Sequence, residues 1–281
     1  MWTTVYQKMK ASFNRDFLKY ISFRLIVFCC ALIFEGCAHF YYLPSNLNVP
    51  LFKEKYEFHG STSLGAGYIT SGTDVQTALS LTNHLAVMAN YMHSKYYPDE
   101  IEDDNLIKYN YFEGAAGYFK PFNEFWVFEV YGGFGSGNQH HEYYAWPDNT
   151  YRGHADLTFV KSFLQPSIGV TFNAFDIALS SSFSRLSFNK INISVDQNSD
   201  YYDELDMIAR KSKFFLFEPA ITIRGGWKFV KMQLQYILSV NPRSDEVIFE
   251  PQKISLGIYF SLSKKYWNDR SKNNEFDTKL K

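Results

Sequence analysis

The feature that most constrains this chain is a two-residue alternation of apolar and polar side chains that recurs over most of its length. From residue 230 to residue 240, apolar residues occupy the even positions and Lys, Gln or Ser the odd ones, with Ile237 as the exception. From residue 215 to residue 224 the odd positions are apolar, and Leu216 is the exception. This period is that of a β-strand with one apolar and one polar face.

Ten segments read as strands in this way, and their connections fall into two classes. The strands are predicted near residues 54–68, 73–82, 84–95, 106–120, 124–137, 154–172, 175–188, 212–225, 228–240 and 252–263. Short connections at Leu81–His84, Pro121–Glu124, Asn173-Ala174 and Gly225–Trp227 alternate with longer polar ones at Tyr96–Asn105, Asn138–Gly153, Lys190–Ser212 and Asn241–Gln252. Short turns on one side and long loops on the other are typical of transmembrane barrels.

The composition of the two strand faces favours a membrane barrel over an aromatic-rich soluble sandwich. The less apolar face consists mainly of Ser, Thr, Gln, Gly and Ala with few charges, as in a narrow polar lumen. The chain has 27 Phe, 21 Tyr and 5 Trp, and many of these rings cluster beside the short connections, as in a headgroup girdle. We therefore predict an all-β fold, a single antiparallel up-and-down transmembrane β-barrel of about ten strands. The net charge of -1 provides no basic field for nucleic acid.

The alternation also assigns charged residues to the lumen of the predicted barrel. The predicted lumen charges are Glu129, Lys161, Asp176, Glu218, Arg224 and Lys231. Such charges either pair to fill and rigidify the interior or line a polar conduit that selects solutes. A barrel of about ten strands is only slightly wider than the eight-stranded case that side chains can fill, which favours a filled interior.

The N-terminus has the order of residues that marks export. Basic residues precede the apolar run Leu25–Phe34, so residues 1–36 are predicted to be a signal peptide. Gly36-Cys37 resembles a bacterial lipobox, although Glu35 stands where the strict motif has a small residue; an ordinary cleaved signal is the alternative. We predict lipidation at Cys37, a lipidated linker over 37–53, the barrel over 54–263 and a charged periplasmic tail over 264–281.

The chain resembles a known group of proteins over a limited part of its sequence. Tyr41-Tyr42-Leu43-Pro44, the stretch Asn48–Tyr56 and the stretch Leu81–Asn90 resemble small outer-membrane β-barrel lipoproteins of the Bacteroidota. The last strand carries Ser255-x-Gly257-x-x-Phe260-x-Leu262, which resembles the signal recognised by the barrel assembly machinery. The resemblance implies the bacterial outer membrane, with long loops outside. Because Ala38-His39-Phe40 lack an acidic cluster resembling a surface-export signal, the anchor is expected on the periplasmic side.

Candidate chemistry is sparse in this sequence. His140-His141-Glu142, with Asp148, His154 and Asp156, could activate water or bind a metal, but no H-x-x-x-H or H-E-x-x-H spacing occurs. Two acidic groups could bind Ca²⁺ weakly, and neither has an EF-hand spacing; they are Glu102-Asp103-Asp104 and Asp196, Asp200, Asp203, Glu204 and Asp206. We expect no catalytic residue, no metal and no cofactor.

These observations predict a structural or accessory outer-membrane protein whose partners are lipid and an envelope protein. A narrow porin for small solutes and a loop-borne surface hydrolase are the alternatives.

Overall fold

The computed structural model describes residues 40–67, 71–96, 106–145, 150–197, 199–227, 229–242 and 249–263. These residues form ten strands and one helix in the described part of the chain. The strands are β1 Phe58–Gly67, β2 Ser71–Ser80, β3 Leu85–Tyr96, β4 Leu106–Pro121, β5 Trp126–Ala145, β6 Thr150–Thr171, β7 Phe175–Val195, β8 Lys213–Gly226, β9 Val230–Leu238 and β10 Gln252–Leu262. The helix, α1, spans Asp200–Arg210 between β7 and β8.

The strands form one closed barrel. Each strand pairs antiparallel with its neighbours in the sequence, and β1 closes the sheet on β10, with Phe58 opposite Leu262 and Gly67 opposite Lys253. Closure leaves no free strand edge in the barrel. The prediction of an all-β, antiparallel, ten-stranded up-and-down barrel is confirmed.

The helix α1 was not expected from the sequence. Ser199 caps its N-terminus by accepting from the Tyr201 amide, and Arg210 lies in its last turn, where a cation stabilises the helix dipole. In the described part of the chain, no helix is long and apolar enough to cross a bilayer.

The faces of the barrel follow the alternation in the sequence. On β9, Leu234 points outward and is 41% exposed, whereas Gln233 and Gln235 point inward and are at most 1% exposed. Leu64, Phe134 and Ile258 are likewise exposed on the outer surface of other strands. The outer surface of the barrel is therefore apolar, and its interior combines polar side chains with buried rings such as Phe119 and Phe159.

The strands differ in length around the barrel. β1, β2, β9 and β10 have 9 to 11 residues, whereas β5, β6 and β7 have 20 to 22. The predicted loop Asn138–Gly153 is therefore mostly strand, and β7 runs to Val195 inside the predicted loop Lys190–Ser212. Strand pairing continues through these stretches although their outward-facing residues are polar. The alternation of apolar and polar residues that is typical of a membrane barrel therefore ends before the strands do.

The two ends of the barrel differ in character. We call the end with the four tight connections 81–84, 122–125, 172–174 and 227–229 the short-turn end, and the opposite one the long-loop end. Exposed rings surround the short-turn end at Phe122, Phe125, Trp126, Phe175 and Trp227. At the long-loop end, Tyr143 points into the barrel and is fully buried.

The stretch Phe40–Phe52, which we call the plug segment, is buried along its whole length. It has no strand pairing of its own and is surrounded by inward side chains from around the barrel. The expected linker over 37–53 is thus, from Phe40 to Phe52, part of the barrel interior. Cys37, the predicted signal peptide and the whole predicted C-terminal tail over 264–281 lie outside the described residues.

Candidate functional site: the plugged lumen

The plug segment crosses the lumen from the long-loop end to the short-turn end. Near its start, Tyr41 donates from its hydroxyl to Glu204 of α1 at 2.8 Å. Just past its end, the Lys53 ammonium donates to the backbone carbonyls of Glu124 and Thr171, which border two short turns. Leu51 and Tyr56 adopt positive φ angles of 59° and 63°, a conformation that turns the chain toward β1.

Side chains of the barrel form the hydrogen bonds to the plug backbone that a neighbouring strand would otherwise form. Gln235 of β9 accepts from the Leu47 amide at 2.8 Å and donates to the Leu47 carbonyl at 2.9 Å. Asn46 is held in the same way, because Asp74 accepts from its amide at 2.9 Å and Gln76 donates to its carbonyl at 2.6 Å. A buried backbone needs such partners, and the lumen supplies them from opposite walls.

The second half of the plug segment is held by larger polar groups. Arg224 donates to the Val49 carbonyl at 2.7 Å, and the Tyr259 hydroxyl donates to the Pro50 carbonyl at 2.9 Å. The Arg224 guanidinium lies 3.8 Å from the centre of the Tyr259 ring, a cation–π contact. Glu129 accepts from the Phe52 amide at 3.0 Å.

The first half is tied to a buried ion pair. Lys161 and Glu218 form a salt bridge at 2.7 Å, and each is at most 2% exposed. The Tyr42 hydroxyl donates to the other oxygen of Glu218 at 2.7 Å and accepts from the Lys161 ammonium at 2.7 Å. This three-residue group joins the plug segment to β6 and β8.

Apolar contacts fix the middle of the plug segment. Leu47, Val49 and Leu51 form a buried cluster with four inward residues of the barrel, which are Val127, Ala178, Ala220 and Ile237. Ile237 is the residue that interrupts the alternation in β9. The interruption was therefore a usable signal that something apolar lies inside the barrel.

The six predicted lumen charges all point inward and are at most 6% exposed. Glu129, Lys161, Glu218 and Arg224 contact the plug segment. The other two pair with each other near the short-turn end, where the Lys231 ammonium lies 2.6 Å from the Asp176 carboxylate. The arrangement is that of a filled interior in which charges are used for packing and pairing.

Sequence reasoning missed further buried charges, among them Asp74, Glu113 and Lys253. Lys253 pairs with Asp74 at 2.6 Å, and Glu113 accepts from Asn90 and Tyr111 at 2.6 Å each. Asp74 shares its strand parity with Gln76, and Lys253 shares its parity with Ser255, so the alternation could have placed both. The strand of Glu113 contains a Gly-Ala-Ala-Gly stretch whose faces cannot be told apart from sequence.

The long-loop end of the lumen is covered by α1. Its Leu205 and Ile208 are fully buried, and Tyr41 lies beneath it with its ring 5.4 Å from that of His141. Burial raises the pKa of the Tyr41 phenol well above its usual range, so its hydroxyl stays protonated and donates to Glu204. Plug and helix thus close this end together.

The two adjacent candidate histidines, His140 and His141, lie on opposite faces of β5. His140 points outward, where Asp156 and Glu142 lie 2.8 and 3.2 Å from its ring nitrogens, and His141 points inward against Gln139. His154 lies beside His140, with 5.8 Å between ring centres. No group of three or more His, Cys, Asp or Glu in the described residues has the arrangement of a metal site.

The predicted acidic groups have other roles or fall outside the described chain. Glu204 binds Tyr41, and Asp206 pairs with Arg210 one helical turn away. Asp148 and the group Glu102-Asp103-Asp104 lie outside the described residues.

Comparisons with known proteins return distant barrels. An outer membrane channel from Pseudomonas putida F1 has 7% identity and a TM-score of 0.38, covering 78% of this chain and 100% of that one. The N-terminal β-barrel domain of Pseudomonas aeruginosa OprF has 7% identity and a TM-score of 0.32, covering 74% and 99%. KdgM porin has 10% identity and a TM-score of 0.34, with the same coverage. No family model and no curated protein matches the chain.

Proposed function

We propose that this protein is a bacterial outer-membrane β-barrel closed by its own N-terminal segment, with a structural or accessory role in an envelope complex. The barrel exposes apolar side chains on its outside and buries ion pairs inside, which is the reverse of a soluble protein. This arrangement supports the membrane location. Leu64, Phe134 and Met232 are exposed on the outer surface by 62 to 77%, while the lumen holds ion pairs and amides. Lipid is the solvent that suits an apolar exterior of this kind.

The observation that carries the proposed role is the plug segment. Its backbone is bonded by side chains from around the lumen, and its apolar residues fill the space between them. A barrel filled in this way serves as a scaffold in the membrane. The narrow porin remains the competing proposal, and ion conductance separates the two.

Planar-bilayer recordings test this role directly. We expect the full chain to insert without opening steady channels, and a variant lacking residues 40–52 to open discrete ones. Folding of both proteins is checked by heat-modifiable mobility on gels. Steady conductance of the full chain at the level of the deletion variant would instead support the porin.

An accessory role requires a partner in the envelope. The outer surface of β5 and β6 near the long-loop end carries His140, Glu142 and Asp156, a polar surface suited to protein contact. Purification from native membranes in mild detergent should therefore recover a second protein in fixed stoichiometry. Recovery of this chain alone would argue for an independent role.

We propose that Cys37 carries a lipid anchor, because Gly36-Cys37 directly after an apolar run resembles a bacterial lipobox. Two or three acyl chains at this cysteine would add to the membrane attachment that the strands already provide.

The anchor is tested by metabolic labelling with a clickable fatty acid. We expect Cys37→Ser to abolish labelling and Cys30→Ser to leave it unchanged. Mass spectrometry of the mature N-terminus provides the second readout, and an unmodified Cys37 would remove the anchor while leaving the barrel intact.

A further inference from the structure

A basic groove lies on the outer surface of the barrel near the long-loop end. It has a volume of about 750 Å³ and is lined by Arg185, Arg210, Lys211, Lys213, Phe215 and Asn241, among others. These residues come from β7, from the end of α1 and the segment after it, and from the start of β8, while Asn241 follows β9. None of the residues that line the groove is acidic.

Strand pairing brings two of the cations together on the same face. Arg185 lies opposite Phe215, and Ser187 lies opposite Lys213, so Arg185 and Lys213 are diagonal neighbours. Both are exposed, and within the described parts of the chain no carboxylate forms an ion pair with either. The basic residue Arg210 pairs with Asp206 of its own helix.

The groove begins where the apolar surface ends. Going along β7 from the short-turn end, the outward residues Phe175, Ile177, Leu179 and Phe183 are all at least 40% exposed, with Ser181 as the one polar outward residue between them, and Arg185 comes next. The rings of Phe183 and Phe217 contact at 5.1 Å directly below it. The ten residue steps from Phe175 to Arg185 span about 33 Å of strand, or about 25 Å along the axis at a tilt of about 40°.

That height matches the apolar band of a membrane barrel, which is about 25 Å tall. Arg185 and Lys213 therefore lie at the level of the lipid headgroups on the long-loop side. Guanidinium groups bind phosphate oxygens in pairs, and clustered basic residues beside a membrane attract anionic headgroups.

We propose that this groove binds the phosphate monoester groups of an anionic lipid headgroup in the leaflet on the long-loop side. The charge of the groove matches a phosphate monoester, and the rings of Phe183 and Phe217 below it suit the attached acyl chains. The inference rests on the proposed membrane location and adds a ligand class to it.

The test uses the full-length mature protein in phosphatidylcholine nanodiscs that contain lipid A or its dephosphorylated form. Native mass spectrometry after detergent release counts the lipids that the protein retains. We expect lipid A to be retained at least tenfold more than the dephosphorylated form. Equal retention of the two would overturn the proposal without any variant.

The variant Arg185→Gln/Lys213→Gln locates the site. We expect it to lose at least tenfold in lipid A retention while its heat-modifiable mobility stays unchanged. The control Lys55→Gln/Lys120→Gln removes two exposed cations near the short-turn end and should stay within twofold of the wild type.

Two outcomes distinguish failure of the lipid site from failure of the membrane location. Insertion of the protein with unchanged retention in the groove variant would overturn the lipid site alone. Failure of the wild-type protein to enter any bilayer would overturn the membrane location and the lipid site together.

Discussion

The Tyr42 hydroxyl donates to the Glu218 carboxylate at 2.7 Å, although the two residues are 176 positions apart in the chain. Lys161 binds both of them, so one buried cation connects the plug segment to the barrel wall. A buried ion pair contributes little net stability, because desolvation offsets the attraction, but it penalises every arrangement that separates the partners. We infer that this group specifies how the plug segment is seated.

The first prediction concerns this ion pair. Glu218→Gln leaves the Lys161 ammonium without its counter-charge in a buried site, and we expect a loss of roughly 3–5 kcal/mol in the free energy of unfolding. Urea titration followed by heat-modifiable gel mobility measures it. The double variant Lys161→Met/Glu218→Leu removes both charges and should be less destabilised than the single variant. The opposite order would show that the pair itself stabilises the barrel.

The second prediction tests the position of the plug segment. The side-chain nitrogen Nδ2 of Asn46 lies 2.7 Å from the Ser63 hydroxyl inside the barrel. A short cross-linker that reacts with two thiols should therefore join Asn46→Cys and Ser63→Cys. In the control, Thr62→Cys replaces Ser63→Cys, because Thr62 is adjacent but faces outward. Peptide mapping identifies the product. Equal cross-linking at positions 62 and 63 would place Asn46 outside the lumen.

The third prediction concerns the outer face of β9. Leu234→Arg puts a charge among apolar outward residues and should cost roughly 2–4 kcal/mol if it lies near the bilayer midplane. Leu234→Met keeps the surface apolar and should behave like the wild type in urea titration. Tolerance of the arginine would mean that this face does not contact lipid.

The opposite face of β9 leads to a revised expectation. From the alternation alone, Gln233→Arg should be tolerated better than Leu234→Arg, unless the new side chain collides with Lys231 or Arg224. In the structure, Gln233 is buried and accepts from the Arg224 side chain at 2.7 Å, beside the plug segment. A second guanidinium there would meet a filled interior, so we expect this variant to fold poorly as well.

Much of the barrel could be predicted from the sequence because a strand in a closed sheet has only two faces. The ten strands and the inward direction of residues such as Glu129 and Lys231 follow from the two-residue period alone. The plug segment has no such period. It is an uncharged extended stretch between Phe40 and Phe52, and its location depends on hydrogen bonds to side chains far away in sequence.

The candidate histidines show the same limit on a smaller scale. Adjacent residues on a strand face opposite sides of the sheet. The prediction of a loop over 138–153 was wrong, because most of this stretch belongs to β5 and β6. Once this stretch is strand, His140 must face outward and His141 inward. Extension of the strands beyond the apolar band is a result of pairing between β5 and β6, which the local sequence does not reveal.

The fourth prediction concerns close packing inside β5. A Cβ atom at Gly135 would come within 2.3 Å of the Tyr111 hydroxyl. That hydroxyl donates to Glu113, and the Tyr111 ring stacks on the ring of Phe159. We expect Gly135→Ala to cost roughly 1–3 kcal/mol, because the ring cannot move freely. Gly132→Ala is the control, since its nearest neighbours lie 3.9 Å away. Similar urea midpoints for the two variants would show that the Tyr111 ring adapts.

The fifth prediction fixes the orientation of the barrel in the membrane. With the long loops outside, a protease-sensitive tag at Asp200 should be cleaved in intact cells, whereas one at Asn123 in a short turn should be cleaved only after lysis. Cleavage at Asn123 but not at Asp200 in intact cells would reverse the orientation, and cleavage of both tags in intact cells would argue against a membrane barrel.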